Sequence, residues 1–142
     1  MINNQLDTKQ NNYDRLYLKM AIEIGKMSQS NKREVGALIV KNDTIIAQGF
    51  NGTPTGFNNK CEDEDNKTYW YVLHAEENAI TKCAKNGISC DGATLYITDS
   101  PCRNCAKLIL QSGIKKVIYI NDYSDMSGVE FLRQCGINVI KK

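Results

Sequence analysis

The spacing of apolar residues changes along the chain, and each change predicts a different element. Residues 1–12 are polar and predict a tail or a loose start. A helix is predicted after them, because apolar residues then recur at three- and four-residue intervals, at Tyr13, Leu16, Tyr17, Met20, Ala21 and Ile24. Two β-rich runs follow in VGALIVKNDTIIAQGF, and the Asn42-Asp43 pair between them predicts an antiparallel hairpin.

A long polar segment separates this hairpin from the next element. The stretch GFNGTPTGFNNKCEDEDNK predicts a loop of roughly 20 residues, a length that in compact domains is usually functional or mobile. A helix is predicted to begin near His74 and to end at Asn86-Gly87. Its expected apolar side consists of Ala75, Ala79, Ile80, Cys83 and Ala84.

The second half of the chain alternates between strand and helix patterns. ATLYIT, KKVIYI and INVI predict strands, and the segments between them predict helices that end at Gly113 and Gly136. Strands that alternate with helices in this way form right-handed βαβ units and a parallel sheet. Together with the hairpin, the pattern predicts an α/β fold: one domain over residues 1–142, with about five strands in a mixed sheet and helices on both faces.

Composition and charge exclude several classes of protein. The net charge is only +2 and the lysines are scattered, so a dedicated nucleic-acid surface is not expected. No apolar run approaches the length of a membrane span, and residues 1–15 lack the apolar region of a secretion signal. The six cysteines are expected to be reduced rather than paired, since disulfide frameworks belong to small secreted domains. A cytoplasmic location is therefore expected.

The stretch TDSPCRNC, residues 98–105, is the first candidate for chemistry. Cys102 and Cys105 are three residues apart at a predicted helix start, so both sulfurs face the same side, and the helix N-terminus favours the thiolate. Ser100 or Asp99 is expected to cap this helix and Pro101 to occupy an early helical position. Such a CxxC pair is also consistent with a redox dithiol, or with two unrelated buried cysteines.

His74 favours a metal site over a redox dithiol or two unrelated buried cysteines. It is the one histidine of the chain, and it also lies at a predicted helix start. Two helix N-termini that face one crevice would offer zinc a His74, Cys102 and Cys105 set and leave the fourth position open for water, which is the pattern of a catalytic zinc. The alternative is a structural zinc, closed by one of the other cysteines.

Glu76 adds a proton-transfer group beside the metal ligands. H-x-E followed by P-C-x-x-C is the signature of zinc nucleobase deaminases, in which the glutamate is a general acid and base and not a ligand. Positions i and i+2 of a helix point to nearly opposite sides, so Glu76 reaches the metal only if the metal lies beyond the helix N-terminus. Glu77 is expected to point to solvent or along the helix start. The predicted reaction is the hydrolytic release of ammonia from a ring carbon.

With these motifs the chain resembles the cytidine and deoxycytidylate deaminase superfamily, from about Tyr13 to the last residue. Within it, the chain is most similar to the deoxycytidylate (dCMP) deaminases. The resemblance rests on residues 49–57, 73–80 and 100–119, GFNGTPTGF, LHAEENAI and SPCRNCAKLILQSGIKKVIY. It implies a cytidine deaminase-like fold and the zinc-dependent conversion of dCMP to dUMP, which supplies thymidylate synthesis.

The resemblance also implies roles for single residues. Asn51 would contact the sugar, although it is equally typical of a turn before Gly52. The Ala75 backbone amide would bind the pyrimidine carbonyl oxygen, and a backbone carbonyl of Ser100 or Pro101 would receive the leaving amino group. Tyr123 would lie near the substrate, or else be a packed surface aromatic. The candidate cations for the 5′-phosphate are Lys32, Arg33 and Arg103.

Regulation and assembly are further implications of the resemblance. Such enzymes are commonly hexamers that dCTP activates and dTTP inhibits, with Mg²⁺. Gly49, Asn51, Gly52 and Gly56 lie in the region expected to bind the effector, because glycines let backbone amides approach a triphosphate. Some members bind a second, structural zinc partly through a histidine in the long loop. Here that loop has Cys61 but no histidine, so no second metal is expected.

Two other functions remain open from the sequence. One is a tRNA adenosine deaminase or another nucleobase or nucleoside deaminase; an enzyme that acts on RNA would need a basic and aromatic channel for a flipped base. The other is a non-enzymatic module in which zinc only stabilises an assembly. A Glu76 variant distinguishes the last from a deaminase, because a scaffold keeps its fold and binding while a deaminase loses turnover and retains metal.

Overall fold

The computed structural model describes the backbone of residues 2–142 and the side chains from residue 7 onward. Within this range the chain forms four helices and five strands. In chain order these elements are α1 Ile2–Gly25, β1 Gly36–Lys41, β2 Thr44–Phe50, α2 Ala75–Lys85, β3 Thr94–Asp99, α3 Arg103–Gln111, β4 Lys116–Asn121, α4 Ser127–Gln134 and β5 Asn138–Lys141.

The five strands form one mixed sheet in the order β2-β1-β3-β4-β5. β1 pairs antiparallel with β2 and with β3, whereas β3, β4 and β5 run parallel. The predicted hairpin is confirmed: Asn42 and Asp43 both have positive φ, 51° and 59°, as a tight hairpin turn requires. The predicted mixed sheet of about five strands is likewise confirmed.

Helices cover both faces of the sheet, which confirms the expected three layers. α1 packs on one face, where Tyr17 and Leu18 meet Leu38, Tyr96 and Ile118 of the strands. α2, α3 and α4 cover the other face and enclose the larger apolar core. Among the described helices, none is both long and apolar enough to cross a lipid bilayer.

Helix α1 differs from the sequence prediction at its start and in its buried face. Residues 2–12 are helical, where a loose tail was predicted, and Met1 lies outside the described residues. The buried stripe includes Asp14 and Leu18, while Tyr13 and Leu16 are exposed. The buried stripe predicted from the apolar spacing is therefore shifted by about one residue from the observed stripe, because Asp14 was assigned to the polar face.

Asp14 is buried because three donors meet its carboxylate. Gln10 Nε2, the Tyr96 hydroxyl and Lys142 Nζ lie 2.9, 2.6 and 2.8 Å from its oxygens. Burial alone would raise the pKa of Asp14, but the hydrogen bonds from Lys142, Tyr96 and Gln10 outweigh it and leave this pKa below its ordinary value. The network joins α1, β3 and the segment after β5.

Replacing Asp14 with alanine is expected to destabilise the fold by about 1–3 kcal/mol, because the buried Tyr96 hydroxyl loses its partner. A carboxylate with a lowered pKa stabilises above its unfolded pKa and loses that effect as pH falls towards the folded value. The difference from wild type should therefore shrink as pH drops below 3.8, the ordinary value. Urea unfolding at several pH values measures it, with exposed Asp7→Ala as control. An equal loss for both variants would contradict this role.

Candidate active site

Two helix N-termini place the predicted metal ligands at one edge of the sheet. His74 is the N-cap of α2 and Cys102 the N-cap of α3, and both have extended backbones, with φ −74° and ψ 160° and 173°. This conformation directs their side chains beyond the helix ends. Cys105 follows in the first turn of α3 and is fully buried. The structure thus brings His74 to a pair of cysteines that lie 28 and 31 residues further along the chain.

The spacing of their ligand atoms fits a tetrahedral metal. His74 Nδ1 lies 3.2 Å from Cys105 Sγ and 3.6 Å from Cys102 Sγ, and all three atoms lie within 4.8 Å of one another. Zinc–nitrogen and zinc–sulfur bonds in a tetrahedron separate N and S by ~3.5 Å. Among the residues that the structure describes, this is the one His/Cys/Asp/Glu group so arranged. The nitrogen and sulfur donors suit zinc, and His74 Nδ1 faces the sulfurs.

The site favours a thiolate even without a cation. The pKa of Cys102 falls to about 3, because the Cys105 thiol donates a hydrogen bond to it and His74 lies beside it. The pKa of His74 rises to about 9 through its hydrogen bond with Cys102, although burial opposes this. The hydrogen bond with Cys102, together with burial, raises the pKa of the Cys105 thiol. A cation that binds here at neutral pH therefore displaces protons from His74 and Cys105, whereas Cys102 is already a thiolate.

Glu76 and Glu77 lie in different environments. Glu76 is buried beside the cluster, and burial raises its pKa to about 7, while a backbone hydrogen bond and the charge of His74 oppose the rise. Glu77 accepts the His74 backbone N–H at 2.9 Å, which is half of a capping box rather than a solvent contact. Glu76 is thus the carboxylate close to the ligands.

A cavity of about 280 Å³ opens beside the cluster. This is close to the lower end of the range for small-molecule sites. His74, Ala75 and Glu76 line it, and further lining residues come from the segment between α1 and β1 and from the long loop before α2. Its other lining residues are Ser30, Lys32, Arg33, Val35, Asn51, Thr68, Val72, Asp99, Ser100, Cys102 and Tyr123.

The candidate cations are placed differently. Arg33 lines the cavity, but its Nε lies 3.2 Å from Asp99 Oδ2 and its guanidinium lies over the Tyr123 ring at 5.6 Å. Lys32 lines the same cavity, and no carboxylate of the described residues pairs with it. Arg103 turns away and donates to the Ser127 hydroxyl at 2.7 Å. Of the two cations that line the cavity, Lys32 is therefore less restrained than Arg33.

Asn51 is both a lining residue and a structural one. Its Oδ1 accepts the Val35 N–H and its Nδ2 donates to the Arg33 carbonyl, both at 2.8 Å. One amide hydrogen and one lone pair remain for a ligand in the cavity. Tyr123 also lines this cavity, next to Arg33.

The prediction that Ser100 or Asp99 caps α3 is wrong. Ser100 is buried, and its hydroxyl accepts the Tyr123 N–H at 2.7 Å, so it holds a cavity wall instead. Asp99 pairs with Arg33, Cys102 takes the cap position, and Pro101 precedes the helix rather than lying in its first turn. The competing partners, Tyr123 before α4 and Arg33 between α1 and β1, are distant in sequence, which is why local spacing did not reveal them.

The glycine-rich segment contains two environments. Gly49 is part of β2 and packs under α2, where a Cβ would approach the Ala75 carbonyl oxygen to 2.6 Å. Gly52 and Gly56 instead line a second cavity of about 140 Å³, separate from the metal cluster. Cys61 lines it too, and its thiol donates to the Asn59 carbonyl at 3.7 Å.

Sequence reasoning missed several contributors to the site, Ser30 and Val35 of the segment between α1 and β1 among them. Thr68 and Val72 line the cavity from the long loop, and Glu62 of that loop is buried and bonded to the segment between α1 and β1. The length of the loop was the available signal: it indicated a function but did not identify a residue.

The six cysteines were expected to be reduced, and all six are free thiols.

A three-layer α/β/α fold with a His-Cys-Cys cluster and a buried glutamate defines the class of zinc-dependent deaminases. The family model "Cytidine and deoxycytidylate deaminase zinc-binding region" matches residues 11–121. The chain therefore belongs to the cytidine and deoxycytidylate deaminase family.

Individual relatives agree with this assignment. A deoxycytidylate deaminase of Enterobacteria phage T4 is 33% identical over 86% of this chain and 86% of its own length. One of Saccharomyces cerevisiae is 34% identical over 89% of this chain, which spans only 44% of that relative's length. The crystal structure of a dCMP deaminase from cyanophage S-TIM5, in complex with dCMP and dUMP, has 45% identity and a TM-score of 0.90, with 92% and 97% of the two chains covered.

Proposed function

We propose that this chain hydrolyses dCMP to dUMP and ammonia, with one zinc ion held by His74, Cys102 and Cys105. The observation that supports this most directly is the cluster itself, three ligand atoms within 4.8 Å of one another beside a buried carboxylate. The names of the relatives at 33–45% identity support the choice of dCMP as the substrate. The product would supply thymidylate synthesis.

The residues around the cavity account for the chemistry. A zinc ion on these ligands supplies the Lewis acidity that makes water a nucleophile near neutral pH. Glu76 accepts the proton of the attacking water, passes it to the ring nitrogen, and then carries a second proton to the departing amino group. Burial raises the pKa of Glu76 above that of an ordinary carboxyl, which suits a group that both accepts and donates a proton. One water oxygen is added at the ring carbon and ammonia leaves.

The remaining groups would orient the nucleotide. The Ala75 amide is among the free N–H groups at the start of α2 and would bind the pyrimidine carbonyl oxygen. A carbonyl of Ser100 or Pro101 would accept the leaving amino group, and the free half of the Asn51 amide would contact the sugar. Tyr123, which lines the same cavity, would pack near the substrate.

Lys32 and Arg33 would bind the 5′-phosphate. Both line the cavity from the segment between α1 and β1, whereas Arg103 faces α4. Arg33 is oriented by Asp99 and Tyr123, and Lys32 has no such partner among the described carboxylates. We therefore favour Lys32 and Arg33 over Arg103 for this role.

Regulation and assembly form the finer part of the proposal. We propose activation by dCTP and inhibition by dTTP with Mg²⁺, a hexameric assembly and a cytoplasmic location. The small cavity at Gly52 and Gly56, separate from the metal cluster, supports an effector site. Gly49 packs against α2, so it would affect effector binding only indirectly, through that packing. Asn51 would link the effector site to the catalytic cavity, because its side chain bonds to Arg33 and Val35 beside that cavity.

A substrate panel tests the proposed activity. Zinc-loaded protein is expected to deaminate dCMP faster than CMP or deoxycytidine, and not to act on adenosine in RNA. Loss of absorbance with and without dCTP measures both turnover and activation. Turnover of RNA alone would identify a tRNA adenosine deaminase, and zinc binding without turnover of any substrate would support an assembly module.

A further inference from the structure

The wall of the cavity that carries Lys32 and Arg33 is an irregular segment, residues 26–35 between α1 and β1. Neither the sheet ladder nor a helix fixes its inner part, so its position depends on side-chain contacts. Asn51 holds its last residues through Val35 and Arg33. A different residue holds the part around Lys32.

That residue is Glu62, from the long loop before α2. It is 3% exposed, and its Oε1 accepts the Ser30 hydroxyl at 2.6 Å and the Asn31 N–H at 3.1 Å. A carboxylate accepts only, so the Ser30 hydrogen points at Glu62 and the Ser30 oxygen is left to accept. The Lys32 N–H donates to that oxygen at 3.2 Å and the Arg33 N–H at 3.5 Å.

In the part of the chain that the structure describes, Glu62 has no counter-ion to explain its burial. No lysine or arginine of the described residues pairs with it. Burying a carboxylate without a cation is costly unless hydrogen bonds satisfy it, and bonds to a charged acceptor are short and strong. Glu62 also forms an isolated β-bridge with Thr68, which lines the cavity. The carboxylate thus links the long loop to the cationic segment at the cavity.

We propose that Glu62 is a positioning residue for substrate recognition: it fixes Ser30 and through it sets where Lys32 and Arg33 meet the 5′-phosphate of the nucleotide. The proposal rests on the proposed function. It assigns the long loop a part in recognising the phosphate, distinct from the chemistry at Glu76.

The test compares ligands with and without the phosphate. We expect Glu62→Ala to raise KM for dCMP about tenfold, within the effect of one lost charged hydrogen bond. kcat should stay within about twofold of wild type and the KM for deoxycytidine should be unchanged, because the metal cluster is untouched. Glu62→Gln keeps an acceptor oxygen and should restore most of the affinity, while Ser30→Ala should resemble Glu62→Ala.

Binding of the products gives a readout independent of turnover. Calorimetric titration should show weaker dUMP binding by Glu62→Ala and unchanged deoxyuridine binding. Glu64→Gln, an exposed glutamate of the same loop, is the matched control and should behave as wild type. If Glu62→Ala does not fold, Ser30→Ala carries the same comparison, with zinc content as the check of fold.

Two results would overturn the proposal. One is an equal loss for dCMP and deoxycytidine, which indicates a general structural role. The other is unchanged KM for dCMP in both Glu62→Ala and Ser30→Ala while wild type is active. Wild-type protein that does not turn over dCMP refutes the proposed function itself, and this role with it.

Discussion

Replacing Glu76 with glutamine is expected to lower kcat for dCMP by about 10²–10⁴-fold, the usual contribution of a general acid and base. The amide is nearly isosteric with the buried carboxyl but neither accepts the proton of water nor passes one to the ring. Zinc binding should persist, because the three ligands are His74, Cys102 and Cys105, and Glu76 is not among them. Steady-state kinetics together with zinc analysis of the purified variant measures the two effects.

Glu77→Gln is the matched control for this experiment. Glu77 is the next residue, yet its carboxylate is engaged with the His74 backbone N–H at 2.9 Å. Glutamine also completes a capping box, so activity should stay close to wild type. If Glu77→Gln reduced kcat as strongly as Glu76→Gln, the assignment of the proton carrier would be reversed. If Glu76→Gln lost its zinc as well, the glutamate would be acting through the metal site.

The layers of the fold could be predicted because local patterns determine them. The two β-rich runs around Asn42-Asp43 specify a hairpin, and the later alternation of strands and helices specifies parallel pairing. The buried face of α1 could not be predicted in the same way. Asp14 has a polar side chain, and its partners Tyr96 and Lys142 are 82 and 128 residues away along the chain.

The candidate site also has a part that local sequence predicts and a part that it does not. Short motifs at helix starts predicted the residues of the first part, and the structure places them together: His74, Glu76, Cys102 and Cys105. Ser100 was expected to cap α3 but holds Tyr123 through its hydroxyl. Glu62 lies in an acidic run whose exposed members look the same in sequence, and only folding separates the buried carboxylate from the solvated ones.

The largest effect on metal binding is expected from Cys105→Ser. Cys105 is the fully buried member of the cluster, so a nearly isosteric serine should preserve its packing. A hydroxyl is a far poorer zinc ligand than a thiolate, because zinc favours cysteine sulfur and histidine nitrogen. The variant should be purified with little zinc and should lose dCMP turnover.

Thermal unfolding separates loss of metal from loss of fold in this variant. A ligand that binds only the folded state stabilises it by about 4 kcal/mol at 1,000 times its Kd, so added zinc should raise the Tm of wild type but not of Cys105→Ser. Cys135→Ser is the control, since this exposed thiol lies outside the cluster and its removal should leave zinc content and Tm unchanged. Full zinc content in Cys105→Ser would contradict the ligand assignment, because the His74 and Cys102 pair alone would then be sufficient to hold the metal.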